Sequence, residues 1–215
     1  MRYLITGASR GIGRALVALL APAHEVIAVG RSASALPSGV VSAVLDLAAD
    51  PSTWELPPFD RLDGVVHCAG VVRPGRVDEL DASAWTSQFL VNAVAPAELT
   101  RRLLPALRAA GGAVVFVNSG SGQRARAGMT SYGASKFALR ALADGLREEE
   151  PLLRVTTIYP GRTATDMQRA VRAYESGTFE ADRYLRPSTV AGVIAQVLAT
   201  PSDAVVPEVS VRPRG

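Results

Sequence analysis

The chain has 215 residues, of which 48% are hydrophobic and 20% are charged, and its formal net charge is only +3. This length fits one domain with a complete hydrophobic core, and the composition is that of a globular protein. The 23 basic residues are scattered rather than gathered in a run or tail, so a nucleic-acid-binding role has little support. No stretch reaches the ~18 consecutive apolar residues of a membrane-spanning helix.

Two features of the sequence favour a cytoplasmic protein. Cys68 is the single cysteine, so no disulfide can form within the chain, which fits a reducing compartment. Met1 is followed at once by the strand-like Tyr3-Leu4-Ile5, so we expect no signal peptide.

The first predicted strand, residues 2–6, leads into a glycine-rich turn and then into apolar residues at helical spacing. The turn reads Thr6-Gly7-Ala8-Ser9-Arg10-Gly11-Ile12-Gly13. Backbone N–H groups at a helix N-terminus carry partial positive charge, and glycines let a phosphate approach the chain closely. The pattern therefore predicts a diphosphate-binding turn, although its Gly-x-x-x-Gly-x-Gly spacing differs from the general Gly-x-Gly-x-x-Gly fingerprint.

The second predicted strand, residues 26–29, ends at Gly30-Arg31-Ser32. A dinucleotide site that prefers NAD usually has an acidic side chain here, which binds the 2′-hydroxyl of the ribose. This chain has Arg31 and Ser32 instead, with Arg10 in the first turn, and two guanidinium groups can bind a 2′-phosphate through charge-assisted hydrogen bonds. We therefore infer NADP(H) rather than NAD(H); the alternative is that both arginines are solvated loop charges.

Two more strands are predicted before the first long helix. The third covers residues 40–45 and precedes Asp46-Leu47, and the fourth covers residues 62–68 and precedes Ala69-Gly70. A helix is then predicted from about residue 82 to residue 109.

Two polar features in this region need an interpretation. His67 and Cys68 suggest a metal or nucleophile pair, but no partner spacing supports a metal site, and cysteine is commonly a small core residue. Asn92 lies between apolar residues of the predicted helix. An asparagine on a buried helix face needs hydrogen-bond partners, so Asn92 is either functional or bonded to backbone.

The most informative stretch follows the fifth predicted strand, residues 113–117, and runs from Ser119 to Lys136. Tyr132 and Lys136 are four residues apart on a predicted helix, so they share one face. A nearby ammonium favours the phenolate, so we expect Lys136 to lower the pKa of Tyr132 from its ordinary value near ~10. Lys136 is also the only lysine among the 23 basic residues. The alternative is an ordinary helix-surface pair, since Tyr-x-x-x-Lys recurs by chance.

The remaining sequence continues the alternation of helices and strands. The predicted elements are a helix to about residue 149, a strand over residues 153–159, a helix over residues 187–199 and a closing strand over residues 204–209. Polar residues 168–186, with Tyr174, Phe179 and Tyr184 as anchors, are interpreted as a mobile flap over the substrate. The alternation predicts a doubly wound α/β sheet of about seven parallel strands, whose carboxyl ends bind ligands.

The sequence resembles the short-chain dehydrogenase/reductase family over nearly its whole length. The turn from Thr6 to Gly13 matches the cofactor turn of that family, and Ser119, Tyr132 and Lys136 match its catalytic serine and Tyr-x-x-x-Lys. The resemblance implies a single Rossmann-type domain over residues 1–215, with helices on both faces of the sheet. It also implies hydride transfer between the nicotinamide of NADP(H) and a small carbonyl or alcohol substrate, in a homodimer or homotetramer that pairs through the two long helices.

The resemblance also implies a role for individual residues. Ser119 holds the substrate oxygen, Tyr132 exchanges a proton with it, Lys136 binds the nicotinamide ribose, and Asn92 holds a water that links the lysine to solvent. The implied cofactor-binding residues are Thr6, Gly7, Ser9, Arg10, Gly11, Ile12, Gly13, Arg31, Ser32, Asp46, Leu47, Ala69, Gly70, Asn92, Tyr132, Lys136, Pro160, Gly161, Thr163 and Thr165. The family usually has Asn-Asn-Ala-Gly where this chain has His67-Cys68-Ala69-Gly70, so the hydrogen bonding there stays open.

Two other functions stay open at this point. The first is an NADP(H)-binding sensor or regulator without significant turnover, against which the intact Ser-Tyr-Lys set argues. The second is an epimerase or dehydratase of nucleotide sugars, against which the small C-terminal region argues. The substrate is not identified: residues 120–129 and 163–186 would line its pocket, and Arg124 and Arg126 either meet an acidic substrate or are solvated loop charges.

Overall fold

The computed structural model describes residues 1–31, 36–37 and 39–214. The strands within these residues are β1 (Arg2–Thr6), β2 (Glu25–Gly30), β3 (Val41–Val44), β4 (Gly64–His67), β5 (Ala113–Val117), β6 (Arg154–Pro160) and β7 (Glu208–Val211). They form one parallel sheet in the order β3-β2-β1-β4-β5-β6-β7. The predicted fold class, a doubly wound sheet of about seven parallel strands, is confirmed.

Helices cover both faces of the sheet. They are α1 (Gly11–Leu20), α2 (Ala82–Phe89), α3 (Ala95–Ala110), α4 (Thr130–Glu149), α5 (Asp166–Tyr174) and α6 (Pro187–Leu198). Successive side chains of a strand point to opposite faces, so Leu4 of β1 joins a core cluster with α3 and α4, whereas Tyr3 and Ile5 join one with α1 and α6. None of the helices in the described ranges is long and apolar enough to cross a lipid bilayer.

The burial of the strands follows from their place in the sheet. The central strands β4 and β5 are buried at every residue, which explains their nearly continuous apolar sequence. The edge strands are more exposed: Val41 and Val44 of β3 are exposed, and β7 alternates exposed and half-buried residues. The central strands therefore lie in the core of the protein, and the loops at their carboxyl ends carry the candidate site.

The last strand lies further along the chain than predicted. The sequence pattern placed it over residues 204–209, whereas β7 pairs with β6 over Glu208–Val211. Pro207 lies at the start of the ladder, where its carbonyl accepts a hydrogen bond from the backbone N–H of Thr157 at 2.9 Å. Because proline has no N–H to donate, regular pairing begins only after it.

The first long helix is interrupted, which the sequence pattern did not predict. A π-helical turn over Leu90–Val94 separates α2 from α3, and the N–H of Ala95 bonds to the carbonyl of Leu90, five residues earlier. The apolar stripe is shifted at this turn, so that Val94 is exposed. Pro96 follows directly and has no N–H, so the carbonyl of Asn92 cannot receive its usual α-helical hydrogen bond.

Candidate active site

A cleft of about 810 Å³ lies where the strands β1, β2, β4, β5 and β6 end. The chain leaves β1 toward β2 on one side and reaches β4 on the other, so the strand order reverses between β1 and β4. Ligands of open parallel sheets bind at such a reversal.

Most of the predicted site residues line this cleft. They are Gly7, Ser9, Arg10, Gly11, Ile12, Gly13, Arg31, Asp46, Leu47, Ala69, Gly70, Ser119, Tyr132, Lys136, Pro160, Gly161, Thr163 and Thr165. Thr6 and Asn92 are buried behind its wall and do not line it. Ser32 lies outside the described residues. The structure therefore brings together residues that are up to 158 positions apart, from Gly7 to Thr165.

Two glycines of the first turn, Gly7 and Gly13, pack against other backbone atoms, whereas Gly11 faces the cleft. A Cβ at Gly7, which has a φ of +65°, would lie 2.8 Å from the backbone of Ala69, and one at Gly13 would lie 2.4 Å from the carbonyl oxygen of Gly7. Gly11 has a φ of +56° and lines the cleft. Arg10, in an extended conformation, directly precedes α1. No described side chain caps the N-terminus of this helix, and its first turn has no acidic residue. This cradle fits a diphosphate, because the positive helix end lacks a negative partner within these residues.

Two arginines provide positive charge at the nucleotide end of the cleft. Arg10 and Arg31 are exposed and line it, and neither forms an ion pair within the described ranges. Asp46 also lines this end, but its carboxylate accepts the backbone N–H of Ala48 at 2.9 Å and thereby closes its own turn. The residues present therefore fit an adenosine that carries a 2′-phosphate.

Ser119, Tyr132 and Lys136 meet at the centre of the cleft. The Ser119 hydroxyl, just after β5, lies close enough to the phenol of Tyr132 in α4 to influence its pKa. Lys136 is only 3% exposed, its Nζ donates to the carbonyl of Val117 at 3.1 Å, and that Nζ lies 5.9 Å from the centre of the Tyr132 ring. One turn of helix and one strand end thus bring a hydroxyl, a phenol and an ammonium together at the centre of the cleft.

The expected lowering of the Tyr132 pKa is wrong for this arrangement. Burial raises the pKa of Tyr132, and the hydrogen bond with Ser119, which acts in the opposite direction, does not cancel it. Burial also lowers the pKa of Lys136 to about 8. Removal from water disfavours both charged forms, and burial is the largest cause of each shift. The raised pKa keeps Tyr132 a neutral phenol in this arrangement.

Asn118 supports Ser119 and Lys136, and this residue was not predicted from the sequence. Its side-chain amide donates to the carbonyl of Lys136 at 3.0 Å, and its side-chain oxygen accepts the backbone N–H of Ser119 at 2.8 Å. It is 4% exposed, so these bonds are shielded from water. Its place between a fully apolar strand and Ser119 is the one sequence signal that could have pointed to it. Asn118 fixes the end of β5 against α4.

The side chain of Asn92 is fully used by protein partners. Its oxygen accepts the backbone N–H of Val71 at 2.9 Å, and its amide donates to the carbonyl of Val71 and to the hydroxyl of Ser135, both at 2.9 Å. The hydroxyl of Ser135 in turn donates to the carbonyl of Tyr132 at 2.7 Å. The side chain of Asn92 thus ties the loop after β4 to α4.

His67 lies in the packed interior, whereas Cys68 is half-buried and lines the cleft. The Nε2 of His67 lies 2.9 Å from the hydroxyl of Thr100, its ring stacks on Phe116, and burial lowers its pKa to about 3. Burial raises the pKa of Cys68 to about 12, which keeps it a thiol. No group of three metal-binding side chains occurs in the described part of the chain. The backbone N–H of Ala69 donates to the hydroxyl of Thr6 at 3.1 Å, and this bond ties the loop after β4 to the end of β1.

The segment interpreted as a flap contains regular structure. It includes most of α5 and a short 3₁₀ turn over Ala181–Arg183. The hydroxyl of Thr165 caps α5 by accepting the backbone N–H of Gln168 at 3.3 Å. Tyr184 lines the cleft, as expected for an anchor, whereas Tyr174 is 43% exposed.

Comparison with known proteins points to one family. The family model described as short chain dehydrogenase matches residues 55–176. The chain is 33% identical over 176 residues to a 2,3-dihydro-2,3-dihydroxybenzoate dehydrogenase of Escherichia coli, covering 78% of this chain and 71% of that protein. It is 32% identical over 234 residues to a benzil reductase of Saccharomyces cerevisiae, covering 91% and 89%.

Solved structures show the same similarity in three dimensions. A structure of a short chain dehydrogenase from Escherichia coli complexed with NADPH superposes with a TM-score of 0.85 at 26% identity, covering 97% of this chain and 95% of that one. An alcohol dehydrogenase from Thermococcus sibiricus complexed with 5-hydroxy-NADP superposes with a TM-score of 0.87 at 25% identity, covering 99% and 96%.

Proposed function

The chain belongs to the short-chain dehydrogenase family, and we propose that it transfers a hydride between NADP(H) and a carbonyl or alcohol substrate. One observation supports this most: Ser119 and Tyr132 line the same cleft as the glycine-rich turn, beside the buried Lys136. This arrangement offers a substrate oxygen two O–H groups next to a dinucleotide cradle.

The chain's own residues account for cofactor binding. The turn from Gly7 to Gly13 binds the diphosphate through backbone N–H groups at the start of α1, and Arg10 and Arg31 bind the 2′-phosphate. The relatives solved with NADPH and with 5-hydroxy-NADP support the same choice of cofactor. When bound, NADP(H) supplies or accepts the hydride.

Proton transfer falls to the residues at the centre of the cleft. Ser119 donates a hydrogen bond to the substrate oxygen and positions it. Tyr132, whose raised pKa keeps it protonated, gives its proton to that oxygen during reduction and needs higher pH to accept one during oxidation. Lys136, with a pKa of about 8, carries a proton that can follow toward the tyrosine.

The proton route continues through the backbone of Asn92. Because Pro96 has no N–H, the main-chain carbonyl of Asn92 lacks its usual helical partner and can hold a water beside Lys136. The Asn92 side chain keeps this turn in place through Val71 and Ser135. Asn92 therefore acts through its carbonyl, and its side chain is a positioning group.

A substrate panel tests the proposed function. The full-length protein is mixed with NADPH and a series of aldehydes, ketones and quinones, and NADPH oxidation is followed by its absorbance. We expect turnover of at least one class, with NADPH used in preference to NADH. Tight NADPH binding without turnover of any of them would favour the sensor or regulator instead.

The proposal includes a cytoplasmic homo-oligomer that pairs through the long helices. Val94, directly before α3, is 46% exposed and Phe137 of α4 is 42% exposed, so apolar surface is available beside both helices. Sedimentation measurements give the oligomeric state, and a strict monomer would contradict this part of the proposal.

A further inference from the structure

The lining of the cleft carries more positive charge than the cofactor requires. Seven arginines line it, against three carboxylates, those of Asp46, Asp166 and Glu175. Arg10 and Arg31 belong to the nucleotide end. The other five lie in segments that follow β5, β6 and β7, the side on which Ser119 and Tyr132 stand. The substrate side of the cleft is therefore cationic.

Two of these arginines lie in the segment that joins the catalytic residues. Arg124 and Arg126 follow Ser119 and precede Tyr132, both side chains are exposed, and both line the cleft. Neither forms an ion pair with another of the described residues. Their charge is thus available to a ligand.

Glu175, the glutamate in the lining, does not neutralise Arg124 and Arg126, because it is already bonded to two other arginines. Glu175 accepts hydrogen bonds from both Nη atoms of Arg162, at 2.8 and 2.5 Å, and from Nη1 of Arg172 at 2.5 Å. The hydrogen bond with Arg162 is the largest influence on this carboxyl and lowers its pKa. One carboxylate is shared by two guanidinium groups, so this cluster also keeps an excess of positive charge.

The uncharged side-chain amide of Gln168, which also lines the cleft, has no hydrogen-bond acceptor among the described residues. Gln168 lies in α5 and is 9% exposed, and its side-chain Nε2 is buried. Burying an amide N–H without an acceptor costs free energy, so an acceptor on a ligand would stabilise it. The helix packs on the arginine-bearing segment, since a Cβ at Gly128 would lie 2.9 Å from the hydroxyl of Tyr174.

We infer that the substrate carries an anionic group, a carboxylate or a phosphate, remote from its reacting carbonyl. Arg124 and Arg126 bind this anion, and the amide of Gln168 donates a further hydrogen bond to it. The inference rests on the proposed function, because it assumes that Ser119 and Tyr132 hold the reacting oxygen at the centre of the cleft. It makes the two arginines determinants of substrate specificity.

Binding of simple anions tests this without requiring turnover. Benzoate, phenyl phosphate and the neutral benzamide are titrated calorimetrically into the full-length protein, with and without NADP⁺. The test variant is Arg124→Gln/Arg126→Gln. The matched control is Arg76→Gln/Arg101→Gln, which lowers the net charge equally at exposed residues outside the cleft.

We expect at least one of the two anions to bind about tenfold more tightly than benzamide in the wild type and in the control. The test variant should lose this preference. Equal binding of the anions and benzamide, or a preference that survives in the test variant, would overturn the inference. Failure of the proposed function is a different result: NADPH would not be oxidised with any substrate, whatever the anion titrations give.

Discussion

Lys136 should make the folded protein less stable at neutral pH than it would be without this residue. Its ammonium is 3% exposed, and burial lowers its pKa to about 8 from the usual 10.5. That difference corresponds to a cost of about 3 kcal/mol whenever the side chain is charged in the folded state. The buried ammonium of Lys136 thus lowers the stability of the folded state.

The sign of the pH dependence follows from proton counts. Between pH 8 and 10.5 the unfolded chain keeps the Lys136 proton while the folded chain has lost it. Stability rises with pH wherever the unfolded state binds more protons, so this residue's contribution improves across that window. Below pH 8 both states are protonated, and the full cost is present.

The composition of the chain makes this pKa directly measurable. Lys136 is the only lysine, so protein with ¹³C-labelled lysine gives one set of lysine side-chain NMR signals, whose pH titration is the titration of this group. We expect a midpoint near pH 8. A midpoint above 10 would refute the reasoning, because it would mean that burial does not penalise the charge.

A pair of variants measures the corresponding stability. Lys136→Met removes the charge and keeps an unbranched side chain, so its unfolding midpoint at pH 7 should rise by several degrees, at roughly 2–4 °C per kcal/mol for a chain of this size. Its stability should also lose the dependence on pH between 8 and 10.5. Lys136→Arg keeps a charge throughout this range and should be destabilised at every pH. An unchanged pH dependence in Lys136→Met would contradict the account.

Three further substitutions test other parts of the site. Replacing both Arg10 and Arg31 with Ala should weaken NADPH binding by roughly 100-fold, about tenfold for each exposed contact with phosphate. NADH binding should stay unchanged in the same fluorescence titration. Equal weakening of both cofactors would contradict the assignment. Asn118→Ala leaves the backbone N–H of the catalytic serine without its acceptor, so the free energy of unfolding in urea should fall by about 1–3 kcal/mol, and an unchanged value would remove this residue from the support of the site. Pro96→Ala offers an N–H to the carbonyl of Asn92, so kcat should fall by about two- to tenfold with KM retained; an unchanged kcat would show that proton transfer does not use that carbonyl.

Local sequence patterns predicted the parts of the fold that depend on local interactions. Strand β5 has the predicted bounds, because its five apolar residues are all buried. The fourfold spacing of Tyr132 and Lys136 placed both on one face of α4, where the structure has them. The glycines of the first turn were identified because a close backbone approach admits no other residue.

The features that the sequence did not reveal depend on burial and on long-range contacts. The pKa of Tyr132 rises because the phenol is buried, and spacing alone gives no measure of burial. The support of the site by Asn118 depends on a partner 18 residues away, and that by Asn92 on one 43 residues away. The π-helical turn before Pro96 likewise has no distinct apolar pattern. The roles of the site residues stay predictions until variants are measured.

The replacement of Tyr132 by Phe tests most directly whether this phenol is the proton donor. The exchange removes one oxygen and keeps the buried ring, so NADPH binding, measured by fluorescence, should stay unchanged. Because general acid catalysis contributes about 10²–10⁴-fold, the rate of NADPH oxidation in a single turnover should fall by that factor. A Tyr132→Phe protein that binds NADPH and oxidises it at the wild-type rate would contradict the account.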